Sequence, residues 1–274
     1  MLGYDVLDPA TERVVNMLGQ WPADVDPLAW QPVPTVLERA AEHVDTATVS
    51  APRFETSGLT RAALRGGRFV GADGVYARTA RTLEQLREGG RGLVYFYWDE
   101  LDKTGHRVGW RSDAWLRSLE ELDSALKRLV TRLPANTRVL LTADHGMVDV
   151  GPEHRLDVSG EADLMDGVRH TAGEPRAVQL HLSAHADAED VAQRWQEHFG
   201  DAVWTATRTE LARAGYFGAD PDPRMLARAG DVWILGKEEI ALYDVSRQGT
   251  RPLGMVGQHG SLTDEERYVP ALLW

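Results

Sequence analysis

Three short segments of this 274-residue chain put a histidine or a carboxylate on glycine-bracketed turns: DKTGH at 102–106, ADHGM at 143–147 and GQHGS at 257–261. Asp and neutral His are the ligands that a borderline cation such as Zn²⁺ accepts where no thiolate is on offer, and the chain has no cysteine. Asp102, His106, Asp144, His145 and His259 are therefore candidate metal ligands. They exceed what one tetrahedral ion needs. A pair of ions about 3.5–4 Å apart takes roughly six to eight ligands, some from water or substrate, so the set reads as most of a two-metal site. Each segment alone has a plainer reading: Asp144 could cap a helix beside a surface His145, Asp102 could cap the helix after it, and His259 could be one of nine ordinary histidines. What favours metal is the coincidence of three segments offering one class of ligand.

The surrounding sequence says what must hold these residues. GLVYFYW, from Gly92, is a continuous β-prone run of the kind found in strands covered on both faces, and it leads straight into DELDKTGH. In SDAWLRSLEELDSALKRLVTRL, Leu116, Leu119, Leu122, Leu126, Leu129 and Leu133 share one helical face, with Ser112 as its N-cap. RVLLTAD follows as a second buried strand. Strand, helix, strand predicts a right-handed βαβ unit, and ligands collect beyond the carboxyl ends of parallel strands, where Asp102 and Asp144 fall.

Elsewhere, the stretch through WPADVDPLAWQPVPT reads as loop and turn, a helix starts near Thr35, TATVS is a strand, and residues 60–90 are helical pieces interrupted by the glycine-rich RGGRFVGADG and ended by Gly89 and Gly90. After Gly151, RAVQLHL reads as a strand, DAEDVAQRWQEHF as a helix, and DVWILG with IALYDV as a strand pair about GKEE. The expected fold class is α/β: a mostly parallel central sheet flanked by helices, with antiparallel additions near the C-terminus, in a single domain over 1–274.

Composition bounds the function. A net charge of -12 and a pI near 5.2 disfavour nucleic acid and anionic membrane surfaces as partners. No stretch approaches a membrane span and the N-terminus lacks signal-peptide features, so the expected compartment is the cytoplasm. An anionic substrate would need locally concentrated positive charge.

TADHGM, the upstream DxxGH and the late GxHG together resemble the alkaline phosphatase superfamily, in particular its type I phosphodiesterase and nucleotide pyrophosphatase branch. YWDELDKTGHRVGW, TADHGMVDV and HGSLTDEERYVPALL resemble bacterial members, and similarity extends through WQPVPTVLERA and SGLTRAALRGGRFVGAD. The resemblance implies an alkaline-phosphatase-like fold and a metal-dependent hydrolase of phosphodiester or pyrophosphate bonds, with a small-molecule phosphodiester or nucleotide as substrate. It implies two divalent ions, zinc in preference to manganese: Asp102, His106 and His259 would hold one, Asp144 and His145 the other. No separate organic cofactor is implied. The alternatives are a phosphomonoesterase, phosphonate hydrolase or phosphomutase on the same scaffold, or a noncatalytic metal-binding remnant.

The chain departs from that pattern at its start. Family members carry a strand ending on a further metal-binding Asp, then a nucleophilic Thr at a helix start, ahead of a segment like GYDVLDP, and no such pair is found before residue 92. Asp5 and Asp8 read as turn residues on the surface, and Thr60 in SGLTRAAL matches a stretch the family has in addition to its nucleophile. The expectation is an N-terminally truncated chain of weak activity, as a GTG valine codon read as Met1 would produce. Its catalytic nucleophile is unassigned, and a lost central strand would leave exposed strand edges. His154, His170, His181, His185 and His198 read as surface or packing residues. Arg61, Arg65 and Arg68 read as a solvated helix face.

Overall fold

A computed structural model describes residues 3–87 and 91–274. Among these, contacts group 3–16, 105–112 and 143–270 into one compact unit and the remaining residues into a second.

The first unit is built on a six-stranded antiparallel sheet. Its strand order is Val203–Thr207, Val232–Gly236, Ala177–Leu182, Val168–Glu174, Asp5–Asp8, Arg13–Asn16. The helix Ala188–Phe199 starts at Asp187, whose carboxylate accepts from the amides of Glu189 and Asp190, a pairing Asp makes well at an N-cap. It buries Val191, Ala192 and Trp195 with Val178, Leu180, Val203, Val232 and Ile234 of the sheet. Trp195 is fully buried, and its indole N–H donates to the Leu164 carbonyl at 2.9 Å, so a large apolar body enters the core with its one donor satisfied.

The opening segment is not all loop: Asp5–Asp8 and Arg13–Asn16 form a hairpin that joins the sheet at Gly173. Asp5 is buried rather than on the surface, accepting from Asn16 at 2.9 Å and from Arg247 at 2.8 Å, and the many polar residues hid that ion pair from a hydrophobicity pattern. Asp8 does stay in the turn, where it accepts from Ala10 N and Thr11 Oγ1. Nor do DVWILG and IALYDV pair with each other. Val232–Gly236 lies inside the sheet, whereas Ala241–Tyr243 pairs in parallel with Arg155–Asp157.

The second unit carries the parallel part of the fold: Arg68–Gly71, Asp45–Ser50 and Gly92–Phe96, in that order. Thr35 begins the helix Val36–Ala41 with a reciprocal capping box to Glu38. The strand Arg68–Gly71 falls in the glycine-rich RGGRFVGADG that interrupts the helical pieces, between the helices Gly58–Ala63 and Val75–Arg87. Gly89 and Gly90 lie outside the described residues. At the end of Gly92–Phe96 the buried Asp99 meets Arg53 at 2.8 Å, Lys103 at 2.5 Å and Arg78 at 3.4 Å. Burial pushes its carboxyl up, but Lys103, Arg78 and Arg53 outweigh that and hold it below the usual range.

The long leucine-rich segment is the helix Asp113–Val130, leading to Leu140–Thr142. That strand does not pair with Gly92–Phe96 as the βαβ reading expected. It pairs with Ala271–Leu273, antiparallel. Leu93, Tyr95, Leu140, Leu272 and Leu273 are exposed beside them, as are Leu116 and Leu119 on the helix.

Candidate metal centre

DKTGH is helical, not the glycine-bracketed turn its sequence suggested: it lies within Glu100–Val108. The spacing of four puts Asp102 and His106 one above the other on a single face of that helix. The His106 carbonyl accepts from Val256 N at 2.7 Å, and its ring Nδ1 lies 2.7 Å from the Gly257 carbonyl oxygen. A carbonyl only accepts, so Nδ1 carries the proton and Nε2 presents its lone pair.

Gly257 makes this approach possible. A Cβ there would stand 2.6 Å from the Gly105 oxygen and 2.3 Å from the Met147 sulfur. Gly105 and Gly257 thus meet at a point of close backbone contact.

ADHGM follows the strand Leu140–Thr142 and runs into Val148–Asp149, which pairs antiparallel with Gly257–Gln258. This short ladder brings His145 to His259, their rings stacked with centroids 3.5 Å apart at 17°. His106 lies 5.1 Å from the same His259 ring. His145 repeats the pattern of His106, with Nδ1 2.8 Å from the Gly146 carbonyl oxygen. Gly146 is pinned in turn, its amide donating to the Glu266 carbonyl at 2.8 Å, and a Cβ on it would fall 1.9 Å from the Glu265 oxygen.

One ligand atom each from Asp102, His106 and His259 lies within 4.8 Å of the others. Two imidazoles and a carboxylate of this kind fit a divalent cation with room for exogenous oxygen. His145 joins them through its stacked ring. Asp144 does not: its side chain is 77% exposed, with Oδ1 3.8 Å from His145 Nε2.

Residues without a motif hold the site in shape. Asp149 accepts from the amides of Trp110 and Arg111 at 2.9 and 3.3 Å, tying the chain beyond the DKTGH helix to the strand beyond ADHGM. Glu174 places Oε2 3.3 Å from His259 Nδ1. Neither has a spacing in the sequence that would single it out.

The remaining candidates take structural roles. Thr60 sits in the short helix Gly58–Ala63, its amide and hydroxyl both bound to Ser57. Arg65 reaches Glu38 at 2.9 Å and the Ala62 and Val33 carbonyls, which is a tether rather than a solvated face. His181 is buried, with its pKa pushed down to about 4 by loss of water.

The family model described as type I phosphodiesterase / nucleotide pyrophosphatase matches residues 1–262. Phosphopentomutase from Anaeromyxobacter dehalogenans (strain 2CP-C) is 36% identical over 121 residues, which is 42% of this chain and 28% of that enzyme, so the match spans little more than a quarter of the relative. Among solved structures, murine ectonucleotide pyrophosphatase / phosphodiesterase 5, as an inactive variant with AMP, superposes with a TM-score of 0.73. It shares 14% identity over 99% of this chain and 70% of that one. Phosphonoacetate hydrolase from Sinorhizobium meliloti 1021, with phosphonoformate, gives a TM-score of 0.68 at 17% identity, over 99% and 73%. At these identities the two structures bear on the fold.

Proposed function

This chain belongs to the type I phosphodiesterase / nucleotide pyrophosphatase family, and from that premise we propose that it is a metal-dependent hydrolase of phosphodiester or pyrophosphate bonds in small molecules. The observation that carries the reading is the meeting of His106, His145 and His259, with both His106 and His145 giving Nδ1 to a main-chain carbonyl and keeping Nε2 for a cation. In the proposed assignment Asp102, His106 and His259 hold one divalent ion, and Asp144 with His145 contributes to a second. Zinc is the metal of choice for this nitrogen-rich set. Bound there, the ions would draw charge from phosphoryl oxygens and bring an anionic ester to a protein of net charge -12.

The chain's own residues supply orientation. Main-chain carbonyls fix two imidazole planes, the Val148–Asp149 ladder fixes the distance between loops, and Asp149 anchors the helix that carries His106. No residue placed in the site is assigned as nucleophile.

Metal analysis of the purified chain tests the assignment. Zinc should be retained by the wild type, lost from His106→Ala and partly lost from Asp144→Ala, and a chelator should lower the melting temperature until zinc is restored. Equal metal content in all three proteins would overturn it. A second reading, a phosphomutase or phosphonate hydrolase, draws on the phosphopentomutase match and the phosphonoacetate hydrolase fold. Rates on bis-p-nitrophenyl phosphate, p-nitrophenyl phosphate and phosphonoacetate separate the readings: diester preference supports the first, and faster phosphonoacetate cleavage the second.

A further inference from the structure

We infer that Glu174 is a positioning residue for His259, fixing which ring nitrogen faces the metal; the inference rests on the metal-site reading above. Glu174 is the last residue of the strand Val168–Glu174, far in sequence from all three ligand segments. Its carboxylate nevertheless comes to the GQHGS loop and sets Oε2 3.3 Å from His259 Nδ1, with the two side chains only 13% and 17% exposed. That buried oxygen accepts no hydrogen bond among the described residues; the His259 ring nitrogen at 3.3 Å is an ion-pair contact, and it is the donor that a small turn of the imidazole would bring to this oxygen.

The loop is shaped to admit it. Gly260 adopts φ +123°, a conformation that suits glycine, and a Cβ there would stand 2.5 Å from Glu174 Oε2. A side chain at 260 would therefore push the carboxylate off His259.

An ionised carboxylate accepts and does not donate, so it selects the Nδ1–H form of the ring and leaves Nε2 as the lone-pair nitrogen. His106 and His145 reach the same state through main-chain carbonyls. His259 is the histidine of the three that is oriented by a side chain. It is also the one in contact with both other rings. A carboxylate behind a ligating imidazole raises the basicity of the ring and locks its plane, and loss of such a partner weakens metal binding by about 10–100-fold.

The test uses Glu174→Leu, Glu174→Gln and His259→Ala beside the wild type, with thermal melts to verify folding. Zinc affinity is read by competition with a chromophoric chelator. The tautomer of His259 is read from its ring ¹⁵N shifts in metal-free protein at mildly alkaline pH, where imidazole is neutral. The expected result is an Nδ1–H ring in the wild type and in Glu174→Gln, whose amide oxygen still accepts. Glu174→Leu should shift to a mixture dominated by Nε2–H and bind zinc about 10–100-fold more weakly. An unchanged tautomer in Glu174→Leu overturns the inference. So does loss of zinc from Glu174→Gln as complete as from His259→Ala, since Glu174 would then be a ligand itself. If the wild type binds no zinc, the metal reading fails, and the tautomer measurement still decides the role of Glu174.

Discussion

Arg176 and Glu266 meet side by side in the interior, Nε to Oε1 at 2.8 Å and Nη2 to Oε2 at 2.9 Å, with side-chain exposures of 0% and 1%. The same carboxylate accepts from Ser261 N at 3.0 Å and Thr263 Oγ1 at 2.6 Å, and the Glu266 carbonyl takes the amide of Gly146. One buried ion pair thereby braces the loops that carry His145 and His259. Removing either partner strands the other charge, at a cost of about 3–5 kcal/mol. Arg176→Met and Glu266→Leu should each lower stability by that order in urea denaturation, and the double variant should lose clearly less than their sum. Strict additivity would mean the pair contributes nothing as a pair.

Gly146→Ala forces a methyl into the Glu265 carbonyl, and the obstacle is backbone rather than a side chain that can swing away. Overpacking of this kind costs about 1–3 kcal/mol or more. Because His145 is the preceding residue, zinc binding should fall along with stability. Gly74→Ala is the control: a Cβ there meets nothing within 4 Å, so its cost is confined to the strain of φ +73°. A Gly146→Ala protein no less stable than Gly74→Ala would show that the loop is free to move.

His181 sets an acid limit. Burial pushes its pKa from 6.5 down to about 4, and its Nε2 is buried without a hydrogen-bond partner among the described residues. A folded-state value below the unfolded one means the unfolded chain binds the proton first. Stability from this group is therefore intact above about pH 6.5 and is lost as pH falls toward 4, by at most about 3 kcal/mol. His181→Met should flatten the fall in denaturation free energy between those pH values. Superimposable pH profiles for the two proteins would assign the acid loss elsewhere.

Leu93 and Tyr95 of Gly92–Phe96 and Leu140 of Leu140–Thr142 are exposed, with Leu272 and Leu273 on the neighbouring strand. Clustered apolar side chains at the surface invite association with another chain. Sedimentation should reveal self-association that grows with concentration and recedes in Leu140→Lys and Leu273→Lys. A monomer at every concentration would contradict this.

The candidate metal ligands could be picked out because glycine, histidine and aspartate recur in short segments, and three of them, Asp102, His106 and His259, do meet. The leucine-patterned helix was legible too, its spacing matching its period, and so was the strand at GLVYF as a continuous β-prone run, though Leu93 and Tyr95 stand exposed rather than covered. The DKTGH helix was not, because Gly105 reads locally as a breaker while its value lies in the close approach of Gly257. The hairpin at 5–16 was lost for a related reason: the acidic residue that anchors it is satisfied by Arg247, more than two hundred positions away. Asp149, Glu174, Arg176 and Glu266 illustrate the same limit. Buried charges are placed by partners distant in sequence, and no window along the chain contains both members.

The main-chain carbonyls behind His106 and His145 carry one last implication. If the proposed ion binds, rings already held by main-chain carbonyls have little freedom left to surrender when it arrives. Zinc uptake by the metal-free protein should thus resemble a key entering a cut lock: rapid, single-phase, and nearly silent in far-ultraviolet circular dichroism.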